Sequence, residues 1–178
     1  MRKLSRHEVV FRQQEKKERP RLPFVIVLND IRSLYNVGSI FRSADGAGVS
    51  HVYLCGITGY PPNDRIAKTA LGAQEFVPWS HHPDARAVAQ KLKGKGYQLM
   101  LLEQTNGSID YQEYEPQPPV ALILGNEIEG VSSSLIEYGD GAIEIAMEGS
   151  KNSLNVAVAF GIVAFHIRNR LAGKVIPI

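Results

Sequence analysis

The sequence of 178 residues is poor in features that mark several classes of protein. It has one cysteine, Cys55, so neither an intrachain disulfide nor a metal cluster of paired thiolates is possible. No uninterrupted apolar run approaches the roughly 20 residues that a membrane helix needs. The first residues are charged, unlike a secretory signal. We therefore expect a protein of a reducing compartment, the cytoplasm, with no membrane partner.

Common cofactor fingerprints are also missing. There is no G-x-G-x-x-G after the first predicted strand, no G-x-x-x-x-G-K-[ST] and no H-E-x-x-H. The histidines, at positions 7, 51, 81, 82 and 166, show no spacing typical of metal ligands, and we expect no metal. His81-His82 before Pro83 is predicted to be a surface turn, and His166 a packed or surface residue.

The chain does have an ordinary globular composition, with 44% hydrophobic and 21% charged residues. The net charge of +2 is small, but eight lysines and arginines lie in the first 21 residues, against three glutamates. Such a segment predicts either polyanion binding or a solvated helix face held by ion pairs. We divide the chain into a basic helical extension, residues 1–21, and one domain, residues 22–178.

Short apolar runs alternate with helical patterns along the domain. Strands are predicted at 24–28, 51–55, 97–102, 121–124 and 142–146, an edge segment at 75–79 and a polar loop at 103–110; helices are predicted at 4–19, 36–47, 65–71, 84–93, 132–138 and 153–171. Continuous branched runs are typical of strands buried on both faces. The alternation therefore predicts an α/β fold with a mainly parallel, doubly wound sheet.

Three groups of polar and glycine residues follow predicted strands, where an α/β protein binds its ligand. The first, over 36–48, reads N-x-G-x-x-x-R-x-A-x-x-x-G. The second, over 124–130, reads L-G-N-E-x-x-G, and the third, over 145–156, reads I-x-M-x-G-x-x-x-S-L-N-V. Gly38 in the first group costs a helix about 1 kcal/mol relative to alanine, which indicates close approach of backbone or ligand.

With these three motifs in order, residues 23–171 resemble the SpoU (TrmH-like) branch of the SPOUT superfamily, which are S-adenosylmethionine-dependent RNA ribose 2′-O-methyltransferases. Two departures, Glu129 and Lys151-Asn152, leave the active-site pattern intact. The resemblance implies that residues 120–171 form a deep trefoil knot, although knots are almost absent among proteins. It also implies S-adenosylmethionine as cofactor, RNA as partner, and a homodimer with each active site near the subunit interface.

The resemblance assigns roles to individual residues. The cofactor-binding residues would be Leu124, Gly125, Asn126, Gly130, Ile145, Met147, Ser153 and Leu154, and the catalytic residues Arg42, Asn36, Glu127, Ser153 and Asn155. The glycines would let the backbone approach the ligand. The apolar side chains would sandwich the adenine, or simply belong to the core.

Arg42 is the main candidate for acting on the ribose hydroxyl. Because an arginine stays protonated in proteins, we expect it to hold the neighbouring phosphate and stabilise alkoxide charge. Asn36 and Asn155 are expected to orient the substrate and the surroundings of Arg42. Glu127 would hold the loops or accept a hydrogen bond from Arg42.

The basic extension is expected to bind RNA through Arg6, His7 and Arg12, with Arg168 and Arg170 extending the same surface. Transfer RNA is the expected substrate, and ribosomal RNA is the alternative within the class. Two other hypotheses remain open: a non-catalytic RNA-binding or ribosome-assembly protein with the same fold, and a flavodoxin-like nucleotide enzyme.

Overall fold

The computed structural model describes residues 1–17 and 20–172, with side chains described for residues 1–11 and 20–172. Within that part, seven strands form one sheet in the order β3-β2-β1-β6-β4-β7-β5, and each pairing is parallel. The strands are β1 (Phe24–Asn29), β2 (His51–Cys55), β3 (Trp79–His82), β4 (Gln98–Leu102), β5 (Ser108–Asp110), β6 (Val120–Leu124) and β7 (Gly141–Glu144). The helices are α1 (Arg6–Lys17), α2 (Leu34–Ala47), α3 (Asp64–Ala70), α4 (Ala85–Gly94), α5 (Ser133–Ile136) and α6 (Val156–Ala172), with a 3₁₀ turn at Ala73–Glu75.

Hydrophobic layers cover both faces of the sheet. The central strands β1 and β6 are buried along their whole length, so their side chains pack alternately into the two layers. One layer packs β1 and β6 against α2, α3 and α6, with Phe41 and Phe160 at its centre. The other packs them against α4 and α5 through Val88 and Leu135. The predicted mainly parallel, doubly wound sheet is therefore confirmed.

Two edge strands correct the sequence prediction. The segment 75–79 is not the edge strand; that strand, β3, is Trp79–His82, so His81-His82 lies in a strand rather than a surface turn. Part of the predicted polar loop forms β5, which pairs with β7. Both strands are short and carry few apolar residues, and edge strands need little burial, so local periodicity does not distinguish them from loops.

Near the predicted motifs, two element boundaries also move. Strand β7 ends at Glu144, which leaves Ile145 in the following loop. Helix α6 begins at Val156 rather than residue 153, because the Asn155 side chain caps it by accepting from the Ala157 amide, 2.9 Å away. Ser153 and Leu154 therefore lie in a loop as well.

Gly38 shows the predicted close approach, and the neighbour is backbone. A β-carbon at this position would overlap the carbonyl oxygen of Ile66 and the hydroxyl of Thr69. Glycine thus lets α3 pack directly on the first turns of α2. The packing fixes α2 relative to the sheet.

The proposed domain boundary falls close to residues that are anchored. The Arg21 guanidinium donates to Asp45 Oδ1 at 3.0 Å and to the carbonyls of Val49 and Phe76, each at 2.9 Å. Division of the chain at residue 21 stays a prediction, as does the trefoil knot over 120–171. In the described part of the chain, no helix has the length and apolar character to cross a bilayer.

Candidate active site

One cavity of about 540 Å³ lies at the carboxyl edge of the sheet, between the loops that follow β4, β6 and β7. The chain winds outward from β1 through β2 to β3, and the later strands lie on the other side of β1. The carboxyl edge near such a change of winding direction is where open α/β sheets bind ligands. The cavity therefore occupies the expected place for a ligand.

The loop after β6, residues 125–130, closes on itself. The Asn126 and Gly130 backbones exchange two hydrogen bonds, of 3.0 and 2.9 Å. A β-carbon on Gly125 would overlap the Gly130 carbonyl and the Val131 nitrogen, so this close approach requires glycine. Gly130 itself has φ +70°, in the left-handed region that glycine adopts without strain.

The Asn126 side chain locks the same loop. Its Oδ1 accepts from the amides of Ile128 (2.9 Å) and Glu129 (3.1 Å), and its Nδ2 donates to the Asp30 carbonyl at 2.8 Å. Both the oxygen and the nitrogen of the side-chain amide thus form hydrogen bonds within the protein. Asn126 builds the cavity wall and ties it to the end of β1.

Glu127 joins the β6 loop to the start of α2. Its carboxylate accepts from the amides of Arg32 (2.9 Å) and Ser33 (3.0 Å) and from Asn36 Nδ2 (2.9 Å). Burial raises the pKa of Glu127, but the hydrogen bonds from Arg32, Asn36 and Ser33 outweigh it and hold the pKa below its ordinary value. The carboxylate is therefore ionised at neutral pH and fixed in place.

Asn36 connects this carboxylate to the third motif. Its Oδ1 accepts from Asn155 Nδ2 at 3.1 Å, while its own Nδ2 donates to Glu127. Since Asn155 also caps α6, one polar chain links the β6 loop, α2 and α6. Pairs of residues that are 91 and 119 positions apart in the sequence thus meet beside the cavity.

The loop after β4 belongs to the site too, which the sequence prediction missed. Glu103 Oε2 accepts from the Val131 amide at 2.8 Å, and Gln104 Nε2 donates to the Asn152 carbonyl at 2.8 Å. Leu102, Glu103 and Gln104 all line the cavity. The available signal was a polar run directly after a buried parallel strand, the same signal that marked the other loops.

The lining combines apolar side chains with carboxylates. The apolar members are Leu102, Ile128, Ile143, Ile145, Leu154, Val156 and Ala159, and the acidic members are Glu103, Glu127, Glu129 and Glu144. No lysine, arginine or histidine is among the described residues that line it. Such a cavity suits a flat apolar group joined to a positively charged one.

Most of the predicted cofactor-binding residues meet here. The cavity is lined by Gly125, Asn126, Gly130, Ile145, Ser153 and Leu154, together with Glu127 and Asn155. Met147 lines a neighbouring cavity of about 430 Å³. Leu124 is fully buried in β6 and is part of the core, outside the lining.

Arg42 stands apart from this network. It lies six residues after Asn36 on α2, about 9 Å along the helix, and does not line the cavity. Its side chain is exposed and forms no hydrogen bond or ion pair within the described part of the chain. Glu127 accepts from other donors, so the predicted hydrogen bond from Arg42 to Glu127 is absent there.

The predicted RNA-binding residues lie on two helices, α1 and α6. Arg6 and His7 are exposed on α1, while the Arg12 side chain lies outside the described residues. Arg168 donates to Asn169 Oδ1 at 2.7 Å and lies 5.0 Å from the centre of the Phe165 ring. Arg170 pairs with Glu115 at 2.9 Å. An exposed pair of this kind contributes roughly 0–1 kcal/mol, so it does not prevent Arg170 from meeting a phosphate.

Known proteins resemble this chain along most of its length. Residues 23–165 match the SpoU rRNA Methylase family. A 23S rRNA (guanosine-2′-O-)-methyltransferase of Vibrio parahaemolyticus is 33% identical over 85% of this chain and 62% of its own length. The chain spans 61% to 65% of the length of the curated relatives it matches.

Solved structures give the same result. A TrmH/SpoU tRNA modifying enzyme of A. aeolicus superposes with a TM-score of 0.81 at 25% identity, over 94% of this chain and 85% of that one. An AdoMet-bound rRNA methyltransferase from Sinorhizobium meliloti superposes with a TM-score of 0.78 at 28% identity, over 85% and 58%. The resemblance that the three motifs predicted is confirmed.

Proposed function

The chain belongs to the SpoU rRNA Methylase family, and on that basis we propose that it is an S-adenosylmethionine-dependent RNA ribose 2′-O-methyltransferase. One observation carries the proposal: three strand-end loops are locked around a single cavity of suitable size and acidic, apolar lining. Two relatives support it, since the Sinorhizobium meliloti structure holds AdoMet and the Vibrio parahaemolyticus enzyme methylates a guanosine 2′-oxygen.

The residues present fit the cofactor. A volume of about 540 Å³ lies within the roughly 300–1,000 Å³ of small-molecule sites. Ile145 and Leu154 would hold the adenine, and the carboxylates of the lining would favour the positively charged ends of the molecule. When bound, S-adenosylmethionine supplies a methyl group on a sulfonium. The acidic lining then discriminates between the cationic donor and its neutral-sulfur product.

The protein's own contribution to the reaction is positioning and charge. The Glu127–Asn36–Asn155 chain holds the cavity loops against α2, so the cofactor side is ordered before RNA arrives. Arg42, exposed and without a protein partner in the described residues, would hold the RNA phosphate beside the reacting ribose and stabilise negative charge on the 2′-oxygen.

Transfer RNA is our first candidate substrate and ribosomal RNA the second. The A. aeolicus tRNA modifying enzyme, of which this chain covers 85%, favours tRNA. The Vibrio parahaemolyticus and Sinorhizobium meliloti enzymes favour rRNA. Exposed basic residues such as Arg6 and His7 suit either substrate.

We also propose that the protein forms a homodimer through α6. Val158 and Phe165, seven residues apart on one face of this helix, are 51% and 38% exposed. Phe165 lies against Gly46 of α2, where an added β-carbon would be 3.2 Å from the ring. An exposed apolar stripe suits a partner surface. Light scattering should give twice the monomer mass, and Phe165→Glu should give the monomer.

Two measurements test the function. Calorimetry with S-adenosylhomocysteine should show one site per chain, whereas binding of a nucleotide instead would favour the flavodoxin-like alternative. Transfer of tritium from labelled cofactor into bulk tRNA or rRNA, followed by mass analysis of nucleosides, should reveal a 2′-O-methyl product. Cofactor binding without incorporation into either RNA would favour the non-catalytic RNA-binding protein.

A further inference from the structure

Three aromatic rings cluster beside the edge strand β3, away from the cavity. We call Tyr60, Trp79 and His81 the aromatic platform. The Tyr60 ring centre lies 4.6 Å from that of His81 and 6.2 Å from that of Trp79. Tyr60 is 49% exposed, and His81 is exposed as well. The proposed methyl transfer uses none of these residues.

The platform is held firmly on both sides. Next to Tyr60, the buried Thr58 hydroxyl donates to the Leu28 carbonyl at 3.1 Å and accepts from the Ile31 amide at 3.0 Å. Gly59 packs against Leu34 with no room for a β-carbon. On the side of β3, the platform is fixed because His81 Nε2 lies 3.1 Å from the Gly56 carbonyl. An exposed ring in a fixed position binds a flat partner at little entropic cost.

The loop that follows β1 lies between the platform and the cavity. Strands β3, β2, β1 and β6 are neighbours, so the carboxyl ends of β3 and β6 lie about 14 Å apart, at roughly 4.8 Å per strand. Between them lies Arg32, whose amide binds Glu127 at the cavity rim and whose exposed guanidinium has no partner among the described residues. The Ile57 amide donates to Asp30 Oδ1 at 2.9 Å, which connects the loop after β2 to the segment that contains Arg32.

We propose that the aromatic platform stacks an unpaired base of the RNA substrate, a few nucleotides from the ribose that is methylated. Arg32 contacts a phosphate between the two points. This inference rests on the proposed function, since it assumes that RNA crosses this edge. Unpaired bases stack on exposed aromatic side chains in many RNA complexes, and a positive charge between platform and cavity suits a polyanion better than a neutral protein surface.

Single-stranded RNA oligomers and abasic oligomers of the same length test the proposal, with anisotropy of a labelled strand as the readout. Tyr60→Ala should weaken binding of the base-containing oligomer about five- to a hundredfold. Tyr60→Phe should stay within about twofold of the wild type, because the ring remains. The abasic oligomer should bind the wild type more weakly and lose nothing further in Tyr60→Ala.

The matched control is Tyr97→Ala. Tyr97 directly precedes β4, at the amino end of that strand and on the far side of β1 from the platform, so its removal should leave RNA affinity unchanged. His81→Ala provides a second variant, in which Tyr60 still covers Trp79. S-adenosylhomocysteine binding, measured for every variant, shows that the fold is retained.

Trp79 supplies an independent signal because it is the chain's single tryptophan. Base-containing oligomers should change its fluorescence at the concentrations at which they bind, and abasic oligomers should not. Equal changes with both oligomers would overturn the stacking proposal.

Failure of this inference differs from failure of the proposed function. A wild type that methylates RNA, with Tyr60→Ala and His81→Ala showing the same KM for RNA, would leave the function standing and overturn the platform. A wild type that binds and methylates no RNA would overturn both. Salt should distinguish the two contacts, since the Arg32 contribution weakens with salt while stacking does not.

Discussion

Glu127 and Arg42 are both exposed, charged residues of the predicted active site, yet their surroundings differ. Glu127 accepts hydrogen bonds from two backbone amides and from Asn36, whereas Arg42 has no partner in the described residues. The cofactor side is thus ordered within a single chain. The RNA side is left open, as expected for a surface that only a bound polyanion or a second subunit completes.

The largest expected effect is on activity when Arg42 is changed. Arg42→Ala should lower kcat about 10²–10³-fold, because loss of one stabilising donor typically costs that much. Stability should stay within about 0.5 kcal/mol and S-adenosylhomocysteine affinity should not change. Tritium transfer and calorimetry measure the two quantities.

Arg42→Lys is the informative companion variant. It keeps the charge but loses the planar pair of donors that fits a phosphate, so we expect intermediate activity. If Arg42→Ala weakened cofactor binding as strongly as catalysis, the division between an ordered cofactor side and an open RNA side would be wrong.

A second prediction concerns the ordered side. Gly125→Ala forces a methyl group against the Gly130 carbonyl. We expect a loss of about 1–3 kcal/mol in the free energy of unfolding and at least about tenfold weaker binding of S-adenosylhomocysteine. Denaturant unfolding and calorimetry measure them. Gly107→Ala is the control, since no atom lies within 4 Å of its added carbon; equal effects of the two substitutions would contradict the close-packed loop.

The third prediction breaks the polar chain with an isosteric change. Asn36→Asp places a carboxylate where an amide now donates to Glu127 at 2.9 Å. We expect stability to fall by about 1–3 kcal/mol at pH 7, and the pKa of Glu127 to rise because of the neighbouring charge. Denaturant unfolding at pH 7 and pH 4 checks this, because protonation of one of the two carboxylates at pH 4 should recover part of the lost stability. Asn106→Asp, in an exposed turn, should change little.

Some of this site could be predicted from sequence and some could not. The buried runs of β1 and β6 and the polar glycine loops behind them are local signals, so the sheet and the β6 loop followed from them. Asn155 directly before an apolar helix is also a local capping signal, although the helix start was predicted three residues early.

The remaining features depend on contacts between distant residues. No local sequence pattern shows that Asn36 donates a hydrogen bond to Glu127, or that Asn126 donates one to the Asp30 carbonyl. That Asn126 binds the ligand stays a prediction, and the part its side chain plays in closing the loop could not be predicted from local sequence. Similarly, the polar run after β4 indicated a ligand-binding loop, but nothing local shows that Glu103 accepts a hydrogen bond from the Val131 amide.

The smallest expected effect is the pH dependence of the ordered side. Hydrogen bonding holds the pKa of Glu127 below its ordinary value despite partial burial, so folding favours the carboxylate. Its contribution is present above the unfolded pKa of about 4.3 and is lost as pH falls through the lower, folded pKa. Glu127→Gln should therefore lower stability by about 1 kcal/mol equally at pH 6, 7 and 8. The difference should shrink below about pH 4.3, and a gap that varied between pH 6 and 8 would show that another group titrates with the loop.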